Sequence, residues 1–187
     1  MKKFLKWFLI IVAVLGIGLY ATFKWAQSNT KKHSPEQVVT YTEGGLSLEV
    51  FYNRPSKKNR VIFGELVPYE EIWRTGANEA TTFTTNQALS IKGKTLPAGK
   101  YSIWTLPGAE EWTIYFNDKM YPWGVGFDGQ ASREAEFDVL QINQRVKNIS
   151  RTVEQFTISF VEDAPDVILR MEWENTRVDL PLQPAGV

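Results

Sequence analysis

The sequence contains no cysteine and a single histidine, His33. The lack of cysteine excludes disulfides, thiol nucleophiles, thiolate metal sites and a lipidated N-terminal cysteine. One histidine cannot build a typical zinc site, and His33 lies in a polar segment where a solvated side chain is the simplest interpretation. The sequence therefore predicts no metal and no cofactor, and any catalysis would have to use carboxylates.

Basic residues are scarce once the N-terminal segment is set aside. The chain carries 21 basic and 21 acidic side chains, but its first 32 residues hold six lysines and no acidic residue. The remainder has 15 basic and 21 acidic side chains, a formal net charge of −6. Nucleic-acid binding needs clustered Lys and Arg against the phosphates, so we predict no nucleic-acid partner. The basic N-terminal segment suits anionic lipid head groups.

A long uncharged run, residues 7–23, follows the first lysines. With two further apolar residues before it, and Lys6 reaching back to the interface, the segment 4–23 forms about 30 Å of helix, enough to cross a bilayer. Trp7, Tyr20 and Trp25 stand where interfacial aromatic residues are expected. We predict that the chain contacts a membrane through residues 4–23.

A cleaved signal peptide is the main alternative for this segment, and a buried helix of a soluble protein is the other. The charged start and apolar middle fit a signal peptide, but no small-x-small cleavage site follows and the apolar run is long. Three lysines precede the run and three follow it, so charge bias hardly decides orientation. We expect a single-pass protein with its N-terminus inside, because a β-rich domain after a signal-like segment is normally exported.

Composition divides the chain into four parts. Residues 1–24 form the transmembrane anchor or signal segment, and residues 25–37 form a polar linker that contains Pro35. Residues 38–182 form the folded domain, and residues 183–187 are a short tail.

Alternating and β-branched segments dominate the folded domain, and no stretch after residue 30 shows an apolar repeat of 3.6 residues. Strands are predicted at 46–52, 80–85, 101–106, 111–116, 137–146, 155–162, 167–174 and, as an edge strand because of Pro181, 177–182. Many short strands separated by turn signals predict an all-β domain. We expect a β-sandwich, with a jelly-roll as one form of it and a barrel as the alternative.

Two hairpins are predicted within this domain. Pro107, Gly108, Ala109 and Glu110 separate the segments 101–106 and 111–116, which favours an antiparallel pair. Alternation would then place Tyr101, Ile103 and Thr105 on the face opposite to Ser102, Trp104 and Leu106. A second hairpin with a tight turn is expected within residues 92–101.

The most unusual segment is the loop between Trp73 and Thr81. Arg74, Asn78 and Glu79 lie within six residues, beside Trp73 and close to a glycine. A guanidinium, an amide and a carboxylate next to an aromatic ring suit a polar ligand such as a sugar. These four residues are ligand-binding candidates, and we expect them to converge on one concave surface where Arg74 recognises the ligand. The alternative is a structural loop in which Arg74 pairs with Glu79.

A basic loop, residues 54–60, adds Arg54 and Arg60 to the binding candidates. Its four cations could hold an anion. A solvated turn with Asn59 in a left-handed conformation is the alternative interpretation.

Three motifs in this order resemble a known bacterial family. They are Arg54-Pro55-Ser56 with Arg60-Val61-Ile62-Phe63-Gly64, then Trp73-Arg74-Thr75-Gly76-Ala77-Asn78-Glu79-Ala80-Thr81, then Gly93-Lys94 with Leu96-Pro97-Ala98-Gly99 and Tyr101-Ser102. Over about residues 34 to 174 the chain resembles the family called domain of unknown function 2911. The family usually has glycine where Asn59 and Glu70 stand here. The resemblance implies an exported protein of the bacterial envelope and implies no reaction, cofactor or catalytic residue.

Two classes of function remain open. The first is a non-catalytic binding or structural module for a carbohydrate-like polar ligand or a partner protein. The second is a hydrolase acting on a glycan, which needs two carboxylates about 5 to 10 Å apart. Glu79 is one candidate for such a pair, with Glu70, Glu71, Asp128 or Glu174 as the other. We favour the binding module and assign no catalytic residue.

Overall fold

The computed structural model describes residues 2–126 and 128–186. It separates into two compact units, with the division between His33 and Ser34. The first unit is one helix, α1, at Lys2–His33. By length and composition α1 can cross a membrane: the apolar window has a mean hydropathy of 2.2, and none of it is buried by protein.

Helix α1 runs through most of the segment that the sequence analysis treated as a linker. Residues 25–33 are helical, whereas their polar composition and lack of apolar periodicity pointed to a connecting segment. Lys31, Lys32 and His33 form the last turn, where cations interact favourably with the negative end of the helix dipole. Pro35 ends the helix, because the residue before a proline is disfavoured in the α conformation.

The second unit is an antiparallel β domain of nine strands. Their bounds are β1 Glu36–Glu43, β2 Leu46–Asn53, β3 Thr81–Thr85, β4 Leu89–Ile91, β5 Lys94–Leu96, β6 Gly99–Pro107, β7 Glu111–Asn117, β8 Asp138–Asp163 and β9 Asp166–Pro184. A short 3₁₀ turn at Ala135–Phe137 precedes β8. The prediction of an all-β domain after one apolar helix is confirmed.

All nine strands belong to one hydrogen-bonded sheet in the order β1-β2-β3-β6-β7-β8-β9-β4-β5. Neighbours follow chain order except for the β4–β5 hairpin, which pairs with the end of β9. Strands that are distant in the sheet order approach each other: the Tyr52 hydroxyl on β2 accepts a hydrogen bond from the Ile158 amide on β8 at 2.9 Å. The sheet thereby folds over one apolar core.

The buried side chains form two clusters on opposite faces of β6 and β7. The large cluster takes side chains from β2 to β9, including Ile103 and Trp112. The small cluster contains Ala80, Trp104 and Tyr115. Strand β6 therefore buries both faces, and the predicted alternation is confirmed, since Ile103 and Trp104 belong to different clusters.

The two predicted hairpins are confirmed. Strands β6 and β7 pair with Pro107 opposite Trp112. Strands β4 and β5 flank a turn at Lys92 and Gly93, which have φ values of 51° and 78°. Positive φ at both central positions is the conformation that a two-residue hairpin requires.

The predicted edge strand at 177–182 is wrong, because these residues belong to β9, which lies between β8 and β4. Pairing with β8 ends at Val178, and pairing with β4 begins at Gln183. Pro181 falls between the two sets of pairs. A proline is tolerated there because no partner strand needs its amide proton.

Candidate functional site

Trp73 begins the candidate loop and belongs to the core. Its backbone N–H donates to the Thr105 carbonyl at 2.7 Å, and the Thr105 N–H donates back to Trp73 at 2.9 Å. The indole Nε1 donates to the Gly76 carbonyl at 3.0 Å. The rings around it are Phe63, Trp112, Phe156 and Trp173, with centroids 5.0 to 6.1 Å away. Trp73 is 9% exposed, so it supports the loop and offers no open stacking surface.

The loop backbone is tightly constrained after Trp73. Thr75, Gly76 and Asn78 have φ values of 56°, 153° and 57°. A Cβ added at Gly76 would lie 3.0 Å from the Asn53 carbonyl oxygen, which explains the glycine. The Thr81 hydroxyl donates to the Thr75 carbonyl at 2.6 Å. These contacts make the loop a rigid segment on which side chains have fixed directions.

Asn78 and Glu79 share a buried partner, Asn53, at the end of β2. The Asn53 amide donates to the Glu79 carboxylate at 3.0 Å. Its carbonyl oxygen accepts from the Asn78 amide at 3.3 Å. Asn53 is fully buried, and Asn78 is 6% exposed. This network ties the loop to β2, and the role of Asn78 and Glu79 in ligand binding stays a prediction.

Arg74 is set apart from that network. Its side-chain carbons pack on Gly124, where an added Cβ would overlap Arg74 Cδ and lie 2.8 Å from Arg74 Cβ. Gly124 is fixed by its N–H, which donates to the Asn78 carbonyl at 2.9 Å. Arg74 and Glu79 form no ion pair within residues 2–126 and 128–186, since burial is the only cause of the shift in the pKa of Arg74.

The Arg74 side chain is half-buried, and one of its guanidinium nitrogens is buried without a hydrogen-bond partner among the described residues. This nitrogen is Nε, which is inaccessible to solvent. Burial lowers the pKa of the Arg74 guanidinium below its ordinary value, since the charged form loses hydration. An uncompensated buried charge is costly, so such a group is stabilised when an anion or a polar acceptor reaches it.

Arg74 lines a small cavity of about 130 Å³, which we call the Arg74 pocket. The other lining residues are mostly apolar: Leu66, Val67, Pro68, Glu71, Ile72, Trp73, Val125, Gly129 and Ala131. Asn78 and Glu79 are not among them. The structure thus places Arg74 at a pocket of its own and the other two polar candidates in the network with Asn53.

The remaining candidates, Arg54 and Arg60, lie elsewhere. Arg54 is half-buried and joins β2 to β8, donating from Nε to the Phe156 carbonyl at 3.2 Å and from Nη2 to the Thr157 hydroxyl at 3.0 Å. Arg60 is exposed and donates to carbonyls of its own loop. Their role in ligand binding stays a prediction, and the observed contacts of both are structural.

The carboxylates named for the hydrolase alternative have separate environments. Glu174 pairs with Lys57 at 3.2 Å and accepts from the Ile62 amide. Glu71 lines the Arg74 pocket, and Glu70 and Asp128 are exposed. In the described part of the chain, no group of three potential metal-ligating side chains occurs.

Sequence reasoning missed two residues that define this region. Asn53 follows the strand signal of β2 and has no motif of its own. Gly124 also stands in no predicted motif, and its contact with Arg74 crosses 50 positions of sequence.

The fold defines the class of protein, an all-β domain behind one apolar helix, and comparison with protein-family models gives the family. The model described as "Protein of unknown function (DUF2911)" matches residues 34–182. The chain belongs to this family, as its motifs predict. Searches of curated proteins and of solved structures give no match.

Proposed function

We propose that this protein is a membrane-anchored, non-catalytic binding module whose β domain takes a polar ligand at the Arg74 pocket. The ligand presents an acceptor group, such as a carboxylate or the hydroxyl and carboxyl oxygens of an acidic sugar, to the Arg74 guanidinium. A partner protein could supply the same group from a side chain.

One observation carries this proposal: the Arg74 Nε is buried, lacks a hydrogen-bond partner among the described residues, and belongs to a side chain that lines a cavity. Guanidinium groups bind carboxylates through two parallel N–H donors, which gives both affinity and orientation. Apolar side chains beside the guanidinium lower the local dielectric constant, which strengthens that interaction.

The proposed location is the bacterial envelope, with the β domain on the extracytoplasmic (periplasmic) side of the membrane. The length and hydropathy of α1 support a single membrane crossing. The absence of cysteine fits an oxidising compartment, where unpaired thiols would mispair.

The proposal is tested by thermal unfolding of the full chain in a non-ionic detergent. The ligand panel contains neutral oligosaccharides, uronic acids, short-chain carboxylates from acetate to hexanoate, and inorganic phosphate. We expect an acidic member to raise the melting temperature of the wild-type protein. At a ligand concentration 100 times Kd the gain is about 2.7 kcal/mol, or roughly 5–10 °C for a domain of this size.

Arg74→Gln is the test variant, and Arg60→Gln is the matched control because Arg60 is exposed and outside the pocket. We expect the ligand-induced shift to disappear in Arg74→Gln and to persist in Arg60→Gln. A panel without any stabilising compound, or a shift that survives Arg74→Gln, contradicts a binding role for Arg74.

A further inference from the structure

Strand β9 folds back on itself near its middle. Arg170 and Asp179 are nine residues apart, yet Arg170 Nε donates to Asp179 Oδ1 at 2.7 Å. Nine residues of straight strand would span about 30 Å. The reversal coincides with Glu174, which has a φ of 55°, and with two register shifts against β8 between Asn148 and Thr157. The fold encloses a cleft on the face of β9 that points away from the core.

This feature, which we call the Asp179 cleft, has a volume of about 370 Å³. That volume falls in the range of small-molecule sites. Gln144 and Lys147 of β8 line one side together with the second half of β9, and residues around the β8–β9 turn line the other. None of its lining residues contributes to the Arg74 pocket.

Three cations surround one carboxylate at the floor of the cleft. Asp179 is 6% exposed. Besides Arg170, the Lys147 Nζ lies 3.0 Å and the Arg177 Nε 3.2 Å from Asp179 Oδ2. Burial alone would raise the pKa of the Asp179 carboxyl, but hydrogen bonds from Arg170 and Lys147 hold it below its ordinary value. Asp179 is therefore ionised, and it balances one of the three positive charges.

Arg170 and Arg177 both have N–H groups that make no hydrogen bond within the described residues. A guanidinium has five N–H groups. In the part of the chain that the structure describes, Arg170 makes one hydrogen bond from its guanidinium, and the Arg177 Nε makes none of acceptable geometry. Their side chains are only 24% and 28% exposed. Water therefore competes little for the remaining donors.

The opposite side of the cleft is acidic. Glu162, Asp163 and Asp166 surround the β8–β9 turn and line the same cavity. Asp163 is close enough to contribute to the electrostatic environment of Arg170. A simple anion would gain from the arginines and be repelled by these carboxylates. A simple cation would be attracted by the carboxylates and repelled by the arginines.

We propose that the Asp179 cleft binds a small zwitterion. Its anionic group, a carboxylate or a phosphate, takes the free N–H donors of Arg177 and Arg170. Its ammonium group lies toward Asp163 and Asp166. Only a ligand with both charges pairs with the arginines and with the carboxylates at once. Free amino acids, short peptides and amino-alcohol phosphates share this chemistry. The site is independent of the function proposed for Arg74.

Isothermal titration calorimetry of the full chain carrying Arg74→Gln, in a non-ionic detergent, tests the proposal at constant ionic strength, because that variant removes the acceptor site proposed at the Arg74 pocket. The probes are glycylglycine, phosphoethanolamine, acetate and ethylammonium. We expect at least one zwitterion to bind about tenfold more tightly than either single-charge probe. The first two probes distinguish a carboxylate from a phosphate as the anionic group. Absence of zwitterion binding up to roughly 10 mM, or equally tight binding of a single-charge probe, overturns the proposal.

Variants separate ligand binding from a purely structural role of the charged cluster. Arg177→Gln should weaken zwitterion binding about tenfold or more. Arg151→Gln is the matched control, because Arg151 pairs with Glu172 on the same two strands without lining the cleft. Zwitterion affinity should be unchanged when Arg151→Gln is introduced in the same Arg74→Gln background. Affinity unchanged in a folded Arg177→Gln protein overturns the proposal.

A second variant keeps the test decisive if Arg177→Gln fails to fold. Asp163 is exposed, so Asp163→Asn should fold normally. It should weaken binding of the zwitterion and strengthen binding of acetate, because one repulsive charge is removed from the acidic wall. Unchanged preference between the two probes contradicts the role of that wall.

Discussion

Arg74 and Asn78 lie four residues apart in one rigid loop, yet their polar groups have opposite surroundings. The Asn78 amide donates to Asn53, which also holds Glu79. The Arg74 side-chain carbons instead pack on Gly124. The Asn78 and Glu79 side chains have hydrogen-bond partners within the protein, whereas the Arg74 Nε has none among the described residues.

This difference separates architecture from a site. Buried polar groups in folded proteins are almost always hydrogen-bonded, so the Asn53 network is what a stable loop requires. A desolvated cation that lines a cavity has no comparable structural value. The three variants below test whether the two halves differ in this way, beginning with the residue that supports both.

Trp73→Ala should have the largest effect. Trp73 contacts four aromatic side chains of the core, and truncation of a buried tryptophan costs about 3–5 kcal/mol of unfolding free energy. Chemical denaturation measures this change. Trp123→Ala is the control, because Trp123 is only partly buried and belongs to neither core cluster. Equal losses in both variants would show that Trp73 does not anchor the loop.

Asn53→Ala should have an intermediate effect. The change leaves the buried Asn78 amide and the Glu79 carboxylate without their shared partner, which costs roughly 2–3 kcal/mol. The control is Asn86→Ala, since the exposed Asn86 also bonds two backbone groups, at Ser47 and Gly45. We expect the control to lose less than about 1 kcal/mol. A loss in Asn53→Ala no larger than the control's argues against the network as the clamp of the loop.

Arg74→Met and Arg54→Met should change the unfolding free energy least. The two changes are expected to differ in direction. Arg54→Met removes hydrogen bonds to Phe156 and Thr157 and should cost about 1–2 kcal/mol. Arg74→Met replaces an uncompensated cation by an apolar chain of similar length, so stability should stay within about 1 kcal/mol or increase. A loss of several kcal/mol in Arg74→Met would mean that the guanidinium has a structural partner.

Much of the β domain could be predicted because its signals are local. The β6–β7 hairpin follows from turn residues between two alternating segments, and the β4–β5 turn follows from Lys92 and Gly93. Strand β1 was not predicted, because its first residues are polar and the strand is only partly buried. The predicted strands 137–146 and 155–162 are parts of one strand, β8, whose exposed middle lacks alternation.

The site was harder to predict because its contacts are distant in sequence. Arg74 was predicted as a binding residue from its chemistry. Its position depends on the packing of its side chain against Gly124, which lies 50 residues later in the sequence. Asn53 pairs with residues 25 and 26 positions later. No local pattern reports such a contact, since it exists only when β2 and the loop are brought together.

Two departures from the family pattern now have a structural reason. Asn59 and Glu70 stand where the family usually has glycine, and both have a φ of 60°. Glycine adopts this conformation without strain, asparagine tolerates it, and glutamate is disfavoured there. The resemblance therefore indicates two left-handed positions, although glutamate at position 70 does not by itself predict that conformation.

The pairing of the β4–β5 hairpin with Gln183 and Pro184 has a consequence for the time course of folding. Strands β1 to β3 and β6 to β9 can join neighbours in the order in which they are synthesised. The β4–β5 hairpin has to wait for residues more than 90 positions later before it pairs with β9. Contacts of long sequence separation form slowly. Leu89, Ile91 and Leu96, all fully buried in the finished domain, are therefore the apolar side chains that a chaperone would meet on an unfinished chain.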